Sequence, residues 1–225
     1  MTTLDDTLLS VLEGRMGGLL AARRAGTLAP EAEVEISAIS QTLTRPMTPR
    51  SPFCVLMAGL PGSGKTTLSR VLTDRGFVRL CPDEEMYRRH GVYGVDFPRG
   101  TFPTLERPVL EDVAVELREQ LKAGHDVVVD HGFWTPGDRT RWRSIAADAG
   151  ATPVLVYLEA SHDELWSRIN KRNEDHAHDP NSIYFSESDL RRYHTRFVPP
   201  EPDEPHVVFD GDPAAVIAVL EEARE

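Results

Sequence analysis

The segment GLPGSGKT at positions 59–66 constrains this 225-residue chain more than any other part of its sequence. It satisfies every fixed position of the pattern G-x-x-x-x-G-K-[ST], and it lies between an apolar run at 54–58 and a helix-forming segment. Its glycines permit backbone conformations and close approaches that a Cβ atom would obstruct. The pattern therefore predicts a loop whose backbone N–H groups surround a phosphate at the positive end of a helix dipole.

Two side chains of this loop have predicted chemical roles. The ammonium of Lys65 reaches the β and γ oxygens of a nucleoside triphosphate, and the hydroxyl of Thr66 is a ligand for Mg²⁺. The sequence lacks the Asn-Lys-x-Asp motif by which GTPases recognise the guanine base, so ATP is the expected nucleotide. The residues predicted to bind the nucleotide are Gly59, Leu60, Pro61, Gly62, Ser63, Gly64, Lys65, Thr66, Thr67 and Arg172.

Asp83 follows the second predicted strand, in the segment CPDEEMYR at 81–88. Because the carboxyl ends of parallel strands meet at one crevice, we expect this carboxylate to face the phosphate loop. There it can accept the proton of an attacking hydroxyl, which makes it a candidate catalytic base. The alternative is that Asp83 caps the helix that starts at Glu84, and one residue can do both.

Asp130 ends the third predicted strand, in VVVDHG at 127–132. An acidic residue after an apolar strand is typical of the position that holds Mg²⁺, directly or through water, so Thr66 and Asp130 are the predicted metal ligands. The alternative is that Asp130 only stabilises a turn ahead of Gly132. The adjacent His131 is more typical of a hydrogen-bonded residue behind a site than of a base.

Arg168 and Arg172 are four residues apart on a predicted helix over 161–172, so their side chains share one face. Two guanidinium groups suit the charge that spreads over a transferring phosphoryl group. The alternative is an exposed basic face that pairs with Glu164. The polar stretch 173–186 that follows is predicted to be a lid, and its His176 and His178 lack the spacing of a zinc site.

Short apolar runs alternate with helical segments from residue 53 onward. The run at 54–58 is followed by strand candidates at 77–80, 126–129, 154–158 and 207–209. Helices are expected over 107–122, from Pro136 to Gly150, after the capping residues Ser161 and Ser186, and from Pro213. This alternation predicts an α/β fold with a parallel five-stranded sheet sandwiched by helices.

The first 50 residues have a different pattern from the rest. Leucines at helical spacing end at Gly26, and a second apolar stripe follows Pro30. We therefore expect an N-terminal helical hairpin over 1–50 and a main domain over 51–225. Residues 1–45 either pack on that domain or form an arm for a partner protein or a second copy of the chain.

Charge and cysteine content exclude several classes of protein. The chain has 25 Lys and Arg against 36 Asp and Glu, a net charge of −11, whereas nucleic-acid binding needs a basic surface. Nucleic acid is therefore an unlikely partner. Two cysteines cannot form a disulfide framework, and the sequence has neither a signal peptide nor a membrane-spanning stretch. These features predict a cytoplasmic protein.

Several of these segments occur in the order typical of one family. The loop at 59–66, Pro82-Asp83-Glu84, VVVDHGFW at 127–134, the R-x-x-x-R-N pattern at 168–173 and F-x-P-P at 197–200 resemble the AAA_33-type P-loop kinases. That group is similar to polynucleotide 5′-kinase, chloramphenicol phosphotransferase and zeta toxin. The resemblance covers residues 53–209 and excludes the N-terminal hairpin.

The resemblance implies a kinase-type P-loop NTPase sheet and transfer of the ATP γ-phosphate, with Mg²⁺, to a hydroxyl. It gives Asp83 the base position, Arg88 a contact with substrate or phosphate, and Arg168 and Arg172 the positions of lid arginines. The predicted acceptor is a small molecule such as a nucleoside, a sugar or an antibiotic. The residues expected near it are Tyr87, Arg88, Arg89, His90, Tyr93, Phe97 and Phe102.

A second function also fits the sequence, namely a regulatory ATPase that binds a partner through its N-terminal helices. Asp83 favours the kinase, because a switch needs no base directed at an acceptor.

Overall fold

The computed structural model describes residues 4–29, 32–44, 50–98, 100–174 and 184–224. The chain divides into two compact units at the boundary between Arg50 and Ser51, and each is described by itself. The strands are β1 Phe53–Ala58, β2 Val78–Leu80, β3 Val127–Gly132, β4 Thr152–Leu158 and β5 Val207–Phe209. The helices are α1 Leu4–Arg24, α2 Ala32–Thr44, α3 Lys65–Thr73, α4 Pro82–His90, α5 Phe102–Lys122, α6 Pro136–Asp148, α7 His162–Glu174, α8 Glu187–His194 and α9 Pro213–Glu222.

The first unit contains the two helices that the sequence predicts. Leu19 of α1 packs against Ile36 and Ile39 of α2 in a small apolar cluster. An ion pair between Arg15 and Glu35, at 2.7 Å, also joins the helices. Both charged side chains are largely exposed, so the apolar cluster contributes most of the stability of this pair.

The second unit is built on a sheet whose strands are all parallel and follow the order β2-β3-β1-β4-β5. This confirms the predicted five-stranded parallel sheet. The central strand β1 is buried at every residue, as its uninterrupted apolar sequence requires for a strand covered on both faces. Its neighbours β3 and β4 place their carboxyl ends at the same edge as the loop that follows β1.

Alternate residues of β1 enter two separate cores, because successive strand side chains point to opposite faces. Cys54, Leu56 and Ala58 pack with apolar residues of α5 and α6. Val55 and Met57 pack with α3 and α9 on the other face. The predicted sandwich of helices around the sheet is therefore confirmed.

Two helix starts differ from the expectation. Helix α5 begins at Phe102 rather than near Arg107, and Pro108 lies inside it. The ring of Phe102 packs against Tyr93 at a centroid distance of 5.3 Å, and this contact holds the additional turn. Helix α4 begins at Pro82, and its N-cap is Cys81. The alternative role of Asp83, as the cap of this helix, is wrong, because Asp83 already lies within the first turn.

Within the part of the chain that the structure describes, no helix has both the length and the apolar character needed to cross a bilayer.

One buried cation fastens the segment after α8 to the end of the sheet. Arg139 of α6 is 1% exposed and donates to both carboxylate oxygens of Glu204, at 2.8 and 2.7 Å. It also donates to the carbonyl oxygen of Val198, at 2.8 Å. The backbone N–H of Val198 in turn donates to the carbonyl of Trp134, at 2.9 Å. Arg139 thereby connects α6 with the segment after α8, which is itself bonded to the backbone after β3.

We expect Arg139→Met to lower the free energy of unfolding by about 1–3 kcal/mol, because it leaves the carbonyl oxygen of Val198 without its buried donor, while Glu204 keeps its pair with Arg143 at 3.0 Å. Urea denaturation of the full chain measures this loss. The control Arg141→Met removes an exposed pair with Glu111 and should cost at most about 1 kcal/mol. Equal losses in the two variants would contradict the role given to Arg139.

Candidate functional site

A cavity of about 1180 Å³ opens at the carboxyl edge of the sheet in the second unit. It is lined by residues of the loop after β1, of α4 after β2, of the end of β3 and of α7 after β4. This is the edge at which ligands bind in open parallel sheets. Because the sheet is parallel, residues far apart in the sequence meet here.

The loop at 59–66 has a backbone that its glycines alone permit. Gly62 and Gly64 have φ angles of +85° and +101°, a region that other residues rarely adopt. A Cβ atom on Gly62 would lie 3.0 Å from the carbonyl oxygen of Leu165 in α7. Gly64 directly precedes α3, so the loop ends at the N-terminus of that helix. The geometry matches a phosphate site.

Lys65 is held inside this loop by backbone carbonyls. Its Nζ atom donates to the oxygens of Gly59 at 3.1 Å and Leu60 at 2.9 Å. Burial lowers the pKa of Lys65 to about 8, although the carboxylates of Asp130 and Asp83 act to raise it. An anionic phosphate beside this ammonium would stabilise its charged form.

The predicted nucleotide-binding residues divide into two groups. Those that line the cavity are Pro61, Gly62, Gly64, Lys65, Thr66, Thr67 and Arg172. Gly59, Leu60 and Ser63 are buried in the loop. The Oγ atom of Ser63 is buried and has no hydrogen-bond partner among the described residues.

Asp130 lies between the loop helix and the second strand. Its Oδ1 atom accepts a hydrogen bond from Thr66 Oγ1 at 3.5 Å, and its Oδ2 atom accepts one from Ser69 Oγ at 3.0 Å. A carboxylate and a hydroxyl oxygen side by side form a donor set that Mg²⁺ prefers. The arrangement fits the predicted metal ligands Thr66 and Asp130.

Sequence reasoning missed Arg79, the residue that holds this carboxylate. Its Nη2 and Nε atoms donate to Asp130 Oδ2 at 2.6 and 2.9 Å, and its Nη1 atom donates to Glu84 at 2.8 Å. The side chain is only 17% exposed. The signal that could have indicated a buried acidic partner is an arginine inside the short apolar strand V-R-L.

Asp83 belongs to a group of three polar side chains in the cavity wall. One carboxylate oxygen of Asp83, one of Glu106 and a ring nitrogen of His131 all lie within 4.8 Å of one another. Glu106 was missed because the predicted helix began one residue after it. The cavity-lining residues Phe102, Glu106 and Leu110 follow one another at i, i+4 spacing, and this pattern would have indicated a shared face.

Burial shifts two groups of this trio toward their neutral forms. It raises the pKa of Glu106 to about 7, and the charges of Asp83 and Asp138 add to the effect, while Arg196 opposes it. Burial also lowers the pKa of His131, which favours the neutral imidazole, although the charge of Asp83 opposes this shift. A neutral imidazole can donate one hydrogen bond and accept another.

Arg168 and Arg172 both line the cavity, as their shared helix face predicted. Arg168 donates to the carbonyl oxygen of Gly62 at 3.4 Å, and Arg172 lies over the ring of Phe185 at 5.5 Å. The alternative partner Glu164 instead accepts hydrogen bonds from the N–H and hydroxyl of Ser161 at the start of α7.

Other expectations for the acceptor region are only partly met. Arg88 is 71% exposed, pairs with Glu85 at 2.6 Å, and does not line the cavity, so its placement gives no support to a substrate contact. Tyr93 and Phe102 do line it, whereas Phe97 belongs to the core. His176, His178 and most of the predicted lid lie outside the described residues.

The far wall of the cavity consists of residues that the sequence did not indicate. Trp134 packs against Tyr193 with ring centroids 4.9 Å apart, and Arg196 lies over Trp134 at 5.8 Å. These residues follow β3 and lie on or after α8, so tertiary structure alone brings them together.

Comparison with known proteins gives a consistent assignment. The AAA_33 family model, described as an AAA domain, matches residues 54–200. The nucleotide-binding protein Smlt1108 of Stenotrophomonas maltophilia is 28% identical over 122 residues, which are 54% of this chain and 36% of that protein. A shikimate kinase of Rhizobium leguminosarum is 32% identical over 125 residues, which are 53% of this chain and 57% of that enzyme. The chain thus matches only part of each of these curated relatives.

A solved structure from Chloroflexus aurantiacus shares the fold, with a TM-score of 0.62 and 23% identity over 76% of this chain and 98% of that one. The fold of residues 51–225 is therefore that of the kinase-type P-loop NTPases, as predicted.

The raised pKa of Glu106 predicts how the free energy of unfolding depends on pH. The unfolded chain loses this proton near pH 4.5 and the folded chain near pH 7, so the contribution of this group to stability falls as pH rises between these values. Glu106→Gln has no proton to lose and therefore avoids this loss of stability. We expect the free energy of unfolding of the variant to exceed that of the wild type by roughly 1–3 kcal/mol above pH 7 and to equal it below pH 4.5. Urea denaturation across this range measures the difference. The control Glu116→Gln, at an exposed site of the same helix, should follow the wild type. A constant difference at all pH values would contradict the shift.

Proposed function

Because the chain belongs to the AAA_33 family, we propose that it is an ATP-dependent phosphotransferase that moves the γ-phosphate to a hydroxyl of a small molecule. The observation that carries this proposal is the position of Asp83. Its carboxylate lines the same cavity as Lys65 and the phosphate loop, and its charge acts to raise the pKa of Lys65. An acid this close to the lysine of a phosphate site suits a general base.

In the proposed reaction, the loop N–H groups and Lys65 hold the β and γ oxygens of ATP. Asp83 accepts the proton of the acceptor hydroxyl as its oxygen bonds to the γ-phosphorus, and the bond from that phosphorus to the β–γ bridging oxygen breaks to release ADP. Arg168 and Arg172 stabilise the charge on the transferring group. Mg²⁺, held by Thr66 and Asp130, would neutralise charge on the β and γ oxygens.

The size and charge of the molecule support a small acceptor. The cavity of about 1180 Å³ holds both an aromatic wall and the nucleotide loop, and the net charge of −11 disfavours a polynucleotide. The match to a shikimate kinase supports a small hydroxylated acceptor for the shared segment. A regulatory ATPase would need no base beside the loop.

We expect Asp83→Asn to reduce phosphorylation of the acceptor by ~10²-fold or more while leaving ATP affinity unchanged, because the amide keeps the shape but cannot take the proton. A compound screen for increased ATP turnover identifies an acceptor, and calorimetry with a non-hydrolysable ATP analogue measures affinity. The control Asp112→Asn lies on the exposed side of α5 and should keep full activity. If Asp83→Asn weakens ATP binding as much as turnover, Asp83 is a nucleotide-site residue. ATP turnover that no acceptor increases would favour the regulatory ATPase.

We expect the contributions of Arg168 and Arg172 to kcat to depend on their planar guanidinium groups. Arg172→Lys keeps the charge but loses the two-donor fork, so we expect kcat to fall by about tenfold or more with a modest change in ATP affinity. Arg168→Lys should show a smaller fall in the same direction, because this side chain also contacts the loop carbonyl of Gly62. The control Arg191→Lys changes an exposed pair on α8. Wild-type kcat in both cavity variants would show that these residues only form a solvated face.

A further inference from the structure

Asn173 is the last residue of the pattern R-x-x-x-R-N at 168–173, and the proposed reaction uses only the two arginines of that pattern. It lies in the last turn of α7, directly after Arg172, and it is partly buried. Asparagine is a poor helix former, because its side-chain amide competes with the backbone for hydrogen bonds. Its place at this position therefore points to a contact outside the helix.

The side-chain amide of Asn173 pairs with both backbone groups of one residue in the segment before α8. Its Nδ2 atom donates to the carbonyl oxygen of Phe185 at 2.7 Å, and its Oδ1 atom accepts from the N–H of the same residue at 3.4 Å. Each end of the amide thus meets a complementary group, whereas the opposite orientation would bring two acceptors and two donors together. The pair joins the end of α7 to the start of α8 across 12 residues.

Phe185 is also held on its C-terminal side. The next residue, Ser186, is the N-cap of α8 and exchanges hydrogen bonds with Asp189 in a capping box. The ring of Phe185 packs against Tyr193 of the same helix at a centroid distance of 5.5 Å, and it borders the apolar cluster that contains Leu60 of the phosphate loop. Phe185 therefore presents a fixed ring beside that loop.

The guanidinium of Arg172 lies over this ring. Its Cζ atom is 5.5 Å from the ring centroid of Phe185, a distance at which a cation is attracted to an aromatic face. An arginine side chain has many rotamers, and it loses that freedom when it is held in one place. A donor that stabilises a transition state has to be held in place before the reaction starts. The position of the ring therefore influences how well this guanidinium can act.

We propose, on the basis of the phosphotransferase function above, that Asn173 is a positioning residue for the reaction. By bonding to the backbone of Phe185, it sets the ring against which the guanidinium of Arg172 is held in the cavity. Arg172, and not Asn173, touches the transferring phosphoryl group. Asn173 thus contributes to kcat only through Arg172.

Arg168 provides a comparison within the same helix, because it is held differently. It lies one turn before Arg172 on the same face of α7, and it donates to the loop carbonyl of Gly62 at 3.4 Å. Its hydrogen bond is thus with the phosphate loop itself. Loss of the Asn173 amide should therefore affect Arg172 and spare Arg168.

The first experiment measures ligand binding to the full-length protein and needs no identified acceptor. Calorimetry with Mg²⁺ compares the dissociation constant of ADP with that of ADP plus aluminium fluoride, which mimics the transferring phosphoryl group. We expect Asn173→Ala to weaken binding of the fluoride complex by about threefold to tenfold and to change ADP binding little, because only the fluoride complex places a phosphoryl mimic near Arg172. The control Asn170→Ala loses an exposed bond to Glu174 and should bind both ligands as the wild type does.

Double variants test whether the effect passes through Arg172. Arg172→Lys alone should weaken the fluoride complex by about tenfold or more, and adding Asn173→Ala should cost little further, because the guanidinium that Asn173 positions is already absent. In the Arg168→Lys background, Asn173→Ala should keep its full effect. Thermal unfolding verifies that each variant is folded, and Asn173→Ser replaces the alanine variant if that one is not. With an acceptor from the compound screen, Asn173→Ala should lower kcat and leave the KM for ATP nearly unchanged.

The outcomes separate this inference from the proposed function. Wild-type binding in Asn173→Ala, or equal weakening of ADP and of the fluoride complex, would overturn the inference, since the second result shows a structural role only. Losses that add to those of Arg172→Lys, or that disappear with Arg168→Lys, would also overturn it, because Asn173 would then not act through Arg172 alone. All of these results leave the phosphotransferase intact. No gain in affinity from aluminium fluoride in the wild type, or no loss in Arg172→Lys, would count against the proposed function and the inference together.

Discussion

The carboxylate of Asp130 is the interaction on which the carboxyl edge of the sheet depends. Its two oxygens receive hydrogen bonds from Thr66 and Ser69 of α3 and from Arg79 of β2, so one side chain at the end of β3 joins three elements. The carboxylate is 4% exposed, and a charge at that depth requires such partners. Because Arg79 and Ser69 occupy Oδ2, the remaining oxygen, Oδ1, faces Thr66 and the loop. A single buried charge thus connects β3 with β2 and α3 and orients the candidate metal ligand.

The parallel arrangement then determines which residues meet. Each strand ends at the same edge, and the loop after β1, Asp83 after β2 and Asp130 at the end of β3 consequently face one cavity. The bonds from Arg139 to Glu204 and Val198 fasten the opposite wall to this edge. The rigid part of the site is therefore provided by strands and by buried ion pairs.

The features that sequence reasoning predicted are those that local chemistry determines. The phosphate loop, the five strands and the shared face of Arg168 and Arg172 follow from residue type and spacing over fewer than ten residues. The alternative role of Asp83 as a cap was wrong because Pro82, with its fixed φ angle, starts the helix two residues before Glu84. Arg88 has the composition of a substrate contact, but the helix turns it to solvent.

The features that were missed depend on contacts across the fold. Arg139 looks like an ordinary surface arginine in the sequence, and only its partner Glu204, 65 residues away, shows that it is buried. Arg79 lies in a short apolar run, but nothing in that run identifies its partner Asp130, 51 residues away. Glu106 was missed for a related reason, because its importance lies in its distance to Asp83 and His131, which belong to other elements. Residue spacing along one helix cannot report such distances.

The cavity places acidic and basic side chains close together. Lys65, Arg168 and Arg172 line it with the phosphate loop, and the side chains that line it with Asp83 include Glu106, Asp138, Arg192 and Arg196. Asp83 is near enough to Lys65 for its charge to act on the pKa of that ammonium. A general base for phosphoryl transfer has to lie within reach of the transferring phosphate, so an acid beside the loop lysine is the arrangement that the proposed reaction needs. The net charge of −11 argued only against nucleic acid, and it does not describe the potential inside this cavity, where both signs of charge meet.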